Sequence, residues 1–356
     1  MEYGSHSRVV LIFGGFWEER DVSIASANRI LSALRAGSLL VTPVRWDLEG
    51  WTVLNDECQD LNEAGAPRPP LVVLNELREE GLGVVFNALH GGFGEDGTLQ
   101  GFLTLAGVPF TGAGVHASAI TLNKESFRQH VRNIGYEVPV GGVVRRDEWE
   151  ENPNDVLTAI SVDIGLPVVI KPVSSGSSCG VILAADIEKV SATLDEHFEQ
   201  ERAVLVERYI GGREISVACL GTRYGLPPDV LPIIEIEPLT KSGLFDYEAK
   251  YDPKKVRETV PAPLEADLVE HLESMVSHIH QDLELGGVSR TDIILGADGP
   301  VILETQTVPG MTADSLLPKC AESAGIEFNA LCRRLIDYAL SAYLAKGAES
   351  LYAAEE

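Results

Sequence analysis

Cysteine is scarce and unpatterned in this chain of 356 residues: Cys58, Cys179, Cys219, Cys320 and Cys332 are odd in number and form no Cys-x-x-Cys pair. Neither a zinc site nor a disulfide framework is indicated, and a reducing compartment follows. Basic residues are also short, 28 Lys and Arg against 54 Asp and Glu, for a formal net charge of -26. Nucleic-acid binding rests on neutralising phosphates, so DNA and RNA are poor partners. The excess acid reads as a solvated, solubilising surface, and an anionic substrate needs local rescue by particular Lys and Arg side chains. No apolar run approaches a membrane span, so no membrane association is expected. Met1-Glu2-Tyr3-Gly4-Ser5-His6 lacks the basic and apolar regions of a signal peptide, and the expected location is the cytoplasm. Internal repeats and low-complexity tracts are missing too.

Hydrophobic residues at 45% and charged residues at 23% are those of an ordinary globular protein, and the length exceeds one comfortable core. Residues 9–13, 39–44 and 84–88 read as strands and 22–34, 71–79 and 99–106 as helices. That predicts an α/β domain with a parallel sheet ending near residue 118. Residues 55–70, polar and rich in Pro and Gly, read as a surface excursion. A second, α+β segment opens with a helix at Asn123-Lys124. It continues through strands at 167–171, 181–184 and 203–207 and a helix at 187–200, with the acidic 146–155 stretch on the surface. A third, from about residue 211, has strands near 214–220 and 230–237, a helix at 264–283, a hairpin and a terminal helix.

The hairpin carries the densest chemistry. Apolar runs at 288–295 and 300–304 flank Gly296-Ala297-Asp298-Gly299. A three-residue loop, Ala297-Asp298-Gly299, sets Asp292 opposite Glu304 and Arg290 opposite Gln306 on one face. Two carboxylates and an amide beside an arginine suit a hard cation such as Mg²⁺, which usually arrives with nucleotide phosphates. The Pro309-Gly310 turn then stiffens a loop beside them.

Lys171-Pro172-Val173-Ser174-Ser175-Gly176-Ser177-Ser178-Cys179-Gly180 is a strand ending in lysine, then a small-residue loop whose N–H groups can approach phosphate oxygens. A mobile hairpin with a snorkelling lysine is the competing reading. It is not a Walker loop, since the Gly-Lys-Ser/Thr order is missing. Glu207-Arg208-Tyr209-Ile210 reads as a hinge whose backbone can meet an adenine edge, with Glu214 placed for ribose hydroxyls; plain exposure to water explains it as well. His90-Gly91-Gly92-Phe93-Gly94-Glu95 follows a strand at the place where parallel sheets bind ligands, with His90 as an orienting group rather than a base. Glu18-Glu19-Arg20-Asp21 occupies the equivalent loop after the first strand, where acid also favours a helix N-terminus. Residues 241–253, with three aromatics and two lysines, read either as a lid or as a surface loop anchored by its aromatics.

In this order and at these spacings, the motifs resemble the D-alanine:D-alanine ligases of the ATP-grasp superfamily over nearly the whole chain. The matches begin with Glu19-Arg20-Asp21-Val22-Ser23, then His90-Gly91 with Gly94-Glu95-Asp96-Gly97-Thr98-Leu99-Gln100-Gly101, and Lys171-Pro172 with Gly176-Ser177-Ser178. They continue with Tyr247-Glu248-Ala249-Lys250-Tyr251, Arg290-Thr291-Asp292, and Pro309-Gly310-Met311-Thr312 followed by Ser315.

The resemblance implies an ATP-grasp fold behind a Rossmann-like, parallel-sheet N-terminal domain. Residues 1–118 would form the substrate domain, 119–210 the central ATP-grasp part, and 211–356 the C-terminal part with metal site and lid. It also implies ATP, two Mg²⁺ ions with Mn²⁺ as a substitute, two D-alanines and a homodimer. Lys124, Lys171, Ser178 and Lys250 would contact ATP; Glu207, Arg208, Tyr209 and Ile210 would hold adenine and Glu214 the ribose. Asp292, Glu304 and Gln306 would bind the metals. Glu19 would take the ammonium of the first D-alanine and Ser315 the carboxylate of the second, while Ser177 and Tyr251 link to Glu19 and close the lid. Arg290 would offset charge on the transferring phosphoryl and the tetrahedral intermediate. The implied reaction makes a D-alanyl phosphate, attacked by the second amine, to give D-alanyl-D-alanine for the peptidoglycan of the cell wall. Excluding water protects that acyl phosphate.

The chain departs from the family at Gln306, where Asn is usual, at Phe16-Trp17, bulkier than the usual small residues, and at Cys179, usually aliphatic. Two other readings stay open. One keeps the chemistry with D-serine or D-lactate, or in a specialised pathway; the other is a noncatalytic ATP-binding module, which Gln306 invites.

Overall fold

A computed structural model describes residues 8–174, 176, 180–239 and 254–352, with side chains to residue 347. Three sheets organise it. The first has the order β3-β2-β1-β4, made of β1 (Arg8–Gly14), β2 (Val41–Asp47), β3 (Gly50–Val53) and β4 (Leu82–Asn87). Strand β1 pairs parallel with β2 and β4, and β3 is an antiparallel edge. Val9-Val10-Leu11-Ile12-Phe13 is buried throughout, as a strand covered on both faces requires. Helix α1 (Arg20–Ala36) packs on one face, and α2 (Pro70–Glu79) and α4 (Thr98–Leu105) on the other, with the single turn α3 (Gly92–Glu95) between strand and α4. Because β2 and β4 flank β1 on opposite sides, a crevice opens beyond the carboxyl ends of β1 and β4.

Helices α5 (Val115–Leu122) and α6 (Lys124–Asn133) follow; Asn123 caps α6 by accepting from Ser126 N at 2.9 Å. The second sheet is antiparallel, in the order β5-β8-β6-β7, from β5 (Gly141–Arg145), β6 (Val168–Pro172), β7 (Ile182–Ala184) and β8 (Ala203–Arg208). Its core is closed by α7 (Arg146–Glu151), α8 (Pro153–Ala159) and α9 (Ile187–Phe198). The acidic 146–155 stretch is thus helical. Its acids face water, but Trp149 is buried and donates to Asp195 at 2.9 Å.

The third sheet runs β12-β11-β9-β13-β14, with β10 on β9. Its strands are β9 (Arg213–Leu220), β10 (Asp229–Val230), β11 (Ile234–Pro238), β12 (Val256–Thr259), β13 (Val288–Gly296) and β14 (Gly299–Gln306). Helix α10 (Ala266–Asp282) packs on it together with α5 and α6. After β14 come α11 (Leu316–Ser323) and α12 (Phe328–Tyr352). One apolar cluster joins β1, β4, α1, β9, β11, α11 and α12. Burial therefore fixes α1 against the segment that follows β14.

Candidate active site

Arg290, Asp292 and Ile294 alternate onto one face of β13, and β14 sets Glu304 opposite Asp292 and Gln306 opposite Arg290. The predicted pairing is present, but the predicted turn is not. Gly296 pairs with Gly299, so the loop is Ala297-Asp298, with Gly299 at φ 126°. The extra residue is Leu303, at a bulge between the Asp292–Glu304 and Ile293–Ile302 pairs. Without it, Glu304 and Gln306 would turn to the other face.

Arg290 Nε and Nη2 donate to the two oxygens of Asp292 at 3.0 and 2.7 Å, and Ser216 of β9 donates to Oδ1 at 2.6 Å. Arg290 is 3% and Asp292 8% exposed. Burial opposes the Arg290 charge, yet Asp292 and then Glu304 outweigh it, so its pKa lies above the ordinary value. Gln306 Nε2 donates to Glu304 Oε1 at 3.3 Å, and Lys124 Nζ lies 3.7 Å from Glu304 Oε2. Lys124 opens α6, and its N–H donates to Val173 O at 2.9 Å, which ties α6 to the end of β6. Burial pushes the Lys124 ammonium pKa down against the pull of Glu304. Lys171 pairs with Glu207 at 2.5 Å, and Glu207 pairs with Arg128 at 2.9 Å.

A cavity of about 350 Å³ lies beside this cluster, lined by Tyr209, Ile210, Glu214, Ile236, Glu237 and Ile294 among others. Ile294 and Asp292 share a strand face, which separates the cavity wall from the acids by roughly 7 Å. Glu207 and Arg208 are not in its lining. Glu207 turns to Lys171 and Arg128, and Arg208 Nε donates to Ile164 O at 2.5 Å.

Glu19, 8% exposed, stands at the head of α1. Its carboxylate lies against two glycine backbones: a Cβ on Gly91 would sit 2.0 Å from Oε2, and one on Gly176 2.6 Å from it. The loops after β4 and β6 therefore converge on one carboxylate. Arg20 turns away, to Gly15 O and to Asp47 at 2.8 Å. Trp17 donates to His90 O and meets Phe16 and Phe93 edge-on, with ring centroids 5.0 and 5.8 Å apart. The bulky Phe16-Trp17 pair thus builds an aromatic wall beside Gly91 and Gly92.

Glu95, in α3, accepts from Gly91 N at 2.9 Å. Burial, then the charge of Glu19, pushes its pKa up to about 8, so it holds its proton at neutral pH. The native form then binds a proton that the unfolded chain releases. Its stabilising contribution is complete below the usual carboxyl value of 4.5 and is lost as pH rises through about 8. In metal-free protein, thermal unfolding measured across that window should show wild type losing stability with pH relative to Glu95→Gln, whose amide mimics the protonated acid.

His90 Nδ1 lies 2.9 Å from Val308 O and Nε2 2.9 Å from Ser26 Oγ, so the buried ring bridges α1 and the loop after β14. Since a carbonyl only accepts, Nδ1 is the donor. Ser315, just before α11, brings Oγ within 3.0 Å of Thr312 N and 2.8 Å of Thr312 Oγ1.

Residues 8–113 match the family described as D-ala D-ala ligase N-terminus, and residues 131–337 match D-ala D-ala ligase C-terminus. The chain belongs to the D-alanine–D-alanine ligase family. It is 37% identical over 333 residues to the D-alanine–D-alanine ligase of Syntrophobacter fumaroxidans, which covers 93% of this chain and 97% of that one. It is 36% identical over 338 residues to the one from Desulfotalea psychrophila, covering 94% and 95%. Among solved structures it resembles the D-alanine–D-alanine ligase of Bacillus anthracis, with a TM-score of 0.75 at 30% identity over 96% of this chain and 99% of that one. The same Bacillus enzyme complexed with ATP gives 0.72 at 27%, over 95% and 99%. The ATP-grasp fold behind a parallel N-terminal sheet is the fold of this ligase family.

Of the residues singled out in the sequence of this ligase-family chain, Glu19 and His90 meet at the first crevice. Lys124, Lys171, Arg290, Asp292, Glu304 and Gln306 meet where the second and third sheets adjoin. Tyr209, Ile210 and Glu214 meet at the cavity. Ser177, Ser178, Lys250 and Tyr251 lie outside the described residues. No cluster of three or more His, Cys, Asp or Glu suited to a metal occurs among the described residues, so a metal here rests on two carboxylates and an amide. Sequence reading missed Ser216, Arg128 and the role of Glu95. Ser216 had a signal, a hydroxyl interrupting the buried run Ile215-Ser216-Val217; Arg128 had another, one helical turn beyond Lys124.

Proposed function

We propose that this protein uses ATP to join two D-alanines into D-alanyl-D-alanine, through a D-alanyl phosphate, for peptidoglycan precursors. The observation that carries this reading is the line from the cavity at Tyr209, Ile210 and Glu214, along Ile294, to Asp292 and Glu304, with Lys124 and Lys171 beside it. A nucleotide laid along it puts adenine in the cavity, ribose at Glu214 and phosphates beside Lys124 and Lys171, the only buried lysines among the described residues. The Bacillus relative complexed with ATP supports the choice of nucleotide.

The oxygen donors of Asp292, Glu304 and Gln306 suit Mg²⁺, or Mn²⁺ in its place. Bound there, such ions would neutralise phosphate charge. Arg290 is held charged by Asp292 and faces the same side of the sheet, where it offsets charge on the phosphoryl and on the tetrahedral intermediate. Glu19 receives the ammonium of the first D-alanine. Glu95, being protonated, adds no competing negative charge at neutral pH. Ser315 and the first N–H groups of α11 take the carboxylate of the second D-alanine. By motif, Ser178 and Lys250 belong to the phosphates, and Ser177 and Tyr251 to the closure over Glu19. His90 orients the crevice, and the backbone near Glu207 and Arg208 adjoins adenine.

In this reading residues 1–118, 119–210 and 211–356 are the three working units of a cytoplasmic homodimer. No helix among the described residues is long and apolar enough to cross a membrane. Purified protein given ATP, Mg²⁺ and D-alanine should release one phosphate for each D-alanyl-D-alanine formed. Turnover with D-lactate or D-serine but not D-alanine selects the sister chemistry, and no phosphate with any of them ends the reading.

A further inference from the structure

Helix α1 does more than present Glu19: two of its side chains grip the loop after β14. Ser26 Oγ accepts from Met311 N at 3.2 Å, and Arg29 Nη1 donates to Thr312 O at 2.7 Å. The Arg29 guanidinium lies 3.8 Å over the Phe328 ring, which holds the fork in place. Thr312 then fixes Ser315, through its N–H at 3.0 Å from the Ser315 hydroxyl and its own hydroxyl at 2.8 Å. The turn is closed on that hydroxyl, since a Cβ on Gly310 would come within 2.6 Å of it.

We propose that Arg29 is a positioning residue for the second amino acid: it anchors the Thr312 carbonyl, and Thr312 in turn aims Ser315 at the incoming carboxylate. The proposal rests on the ligase reading above. A donor site headed by Glu19 and an acceptor site headed by Ser315 are thereby referenced to one helix. Arg29 reaches the acceptor side by two hydrogen bonds in series, and it touches Met311, Thr312 and Phe328.

One compound filling two sites gives a rate law with a squared concentration term, so initial rates against D-alanine separate the two Michaelis constants. Arg29→Ala should raise the acceptor constant about tenfold, the scale of one lost charged hydrogen bond. The donor and ATP constants should stay within about twofold, as for sites that do not share the contact. Arg29→Lys, which keeps a donor for Thr312 O, should recover most of the loss. An unchanged acceptor constant overturns the proposal, and so does a parallel shift of all three constants, which a merely structural role would give. If Arg29→Ala does not fold, Arg29→Gln, which loses the charge, decides by the same ratio, with Arg29→Lys as its rescue. Wild-type protein that forms no dipeptide removes the ligase reading and this proposal together, whereas an active wild type with an unresponsive Arg29 removes only the latter.

Discussion

The Gly176→Ala substitution should lower kcat/KM for D-alanine by about 100-fold, the scale of a reactant misplaced by roughly 1 Å, while thermal unfolding stays within about 3 °C of wild type. Gly176 does not sit in the left-handed region, so alanine brings no backbone strain there. Its Cβ would lie 2.6 and 2.9 Å from the two Glu19 oxygens. Those atoms end a flexible side chain, so the carboxylate swings aside and the loop keeps its path. The cost falls on the ammonium site. Affinity for ATP, measured separately by titration, should not change. Gly91→Ala shows the contrast. Gly91 has φ 67°, and alanine there meets Glu19 and strains the backbone, so about 1–3 kcal/mol of stability goes with the activity. Undiminished turnover in Gly176→Ala would remove Glu19 from the donor site.

Arg290→Met should cost about 3–5 kcal/mol of folding stability, because it strands the buried Asp292 carboxylate that two guanidinium nitrogens now hold. Replacing both partners, as Arg290→Met with Asp292→Leu, should recover much of that loss, since an apolar pair of similar volume leaves no orphaned charge. Activity should not return. Urea denaturation reads the first effect and phosphate release the second. A double variant that regained turnover would show the pair to be structural only.

The parts legible in the sequence were those set by periodicity. Val9-Val10-Leu11-Ile12-Phe13 announced a strand, which the structure buries on both faces, and the hairpin pattern gave the facing pairs 292–304 and 290–306. It did so through a compensation: a turn shorter than expected, made good by a bulge at Leu303 that no local pattern marks. Strand β5 escaped notice because it opens with Gly141-Gly142, poor strand formers by composition. The glycine has a tertiary reason, since a Cβ on Gly141 would meet Val206 O at 2.2 Å. The helical 146–155 stretch looked like plain surface because one buried tryptophan is its main apolar anchor. Ser216 under Asp292 and Arg29 under Thr312 join residues far apart in the chain. Contacts of that range follow from how the sheets pack, which residue spacing does not encode.

The apolar cluster that unites Val9 and Leu11 with Leu335 and Ala339 also bears on how the protein is born. The first strand is made well before the helix that seals its α1 side, since nearly every other element lies between them in the chain. Until that helix is made a greasy face stays uncovered, so its synthesis, rather than completion of the first sheet, should time the final collapse and any demand for a chaperone.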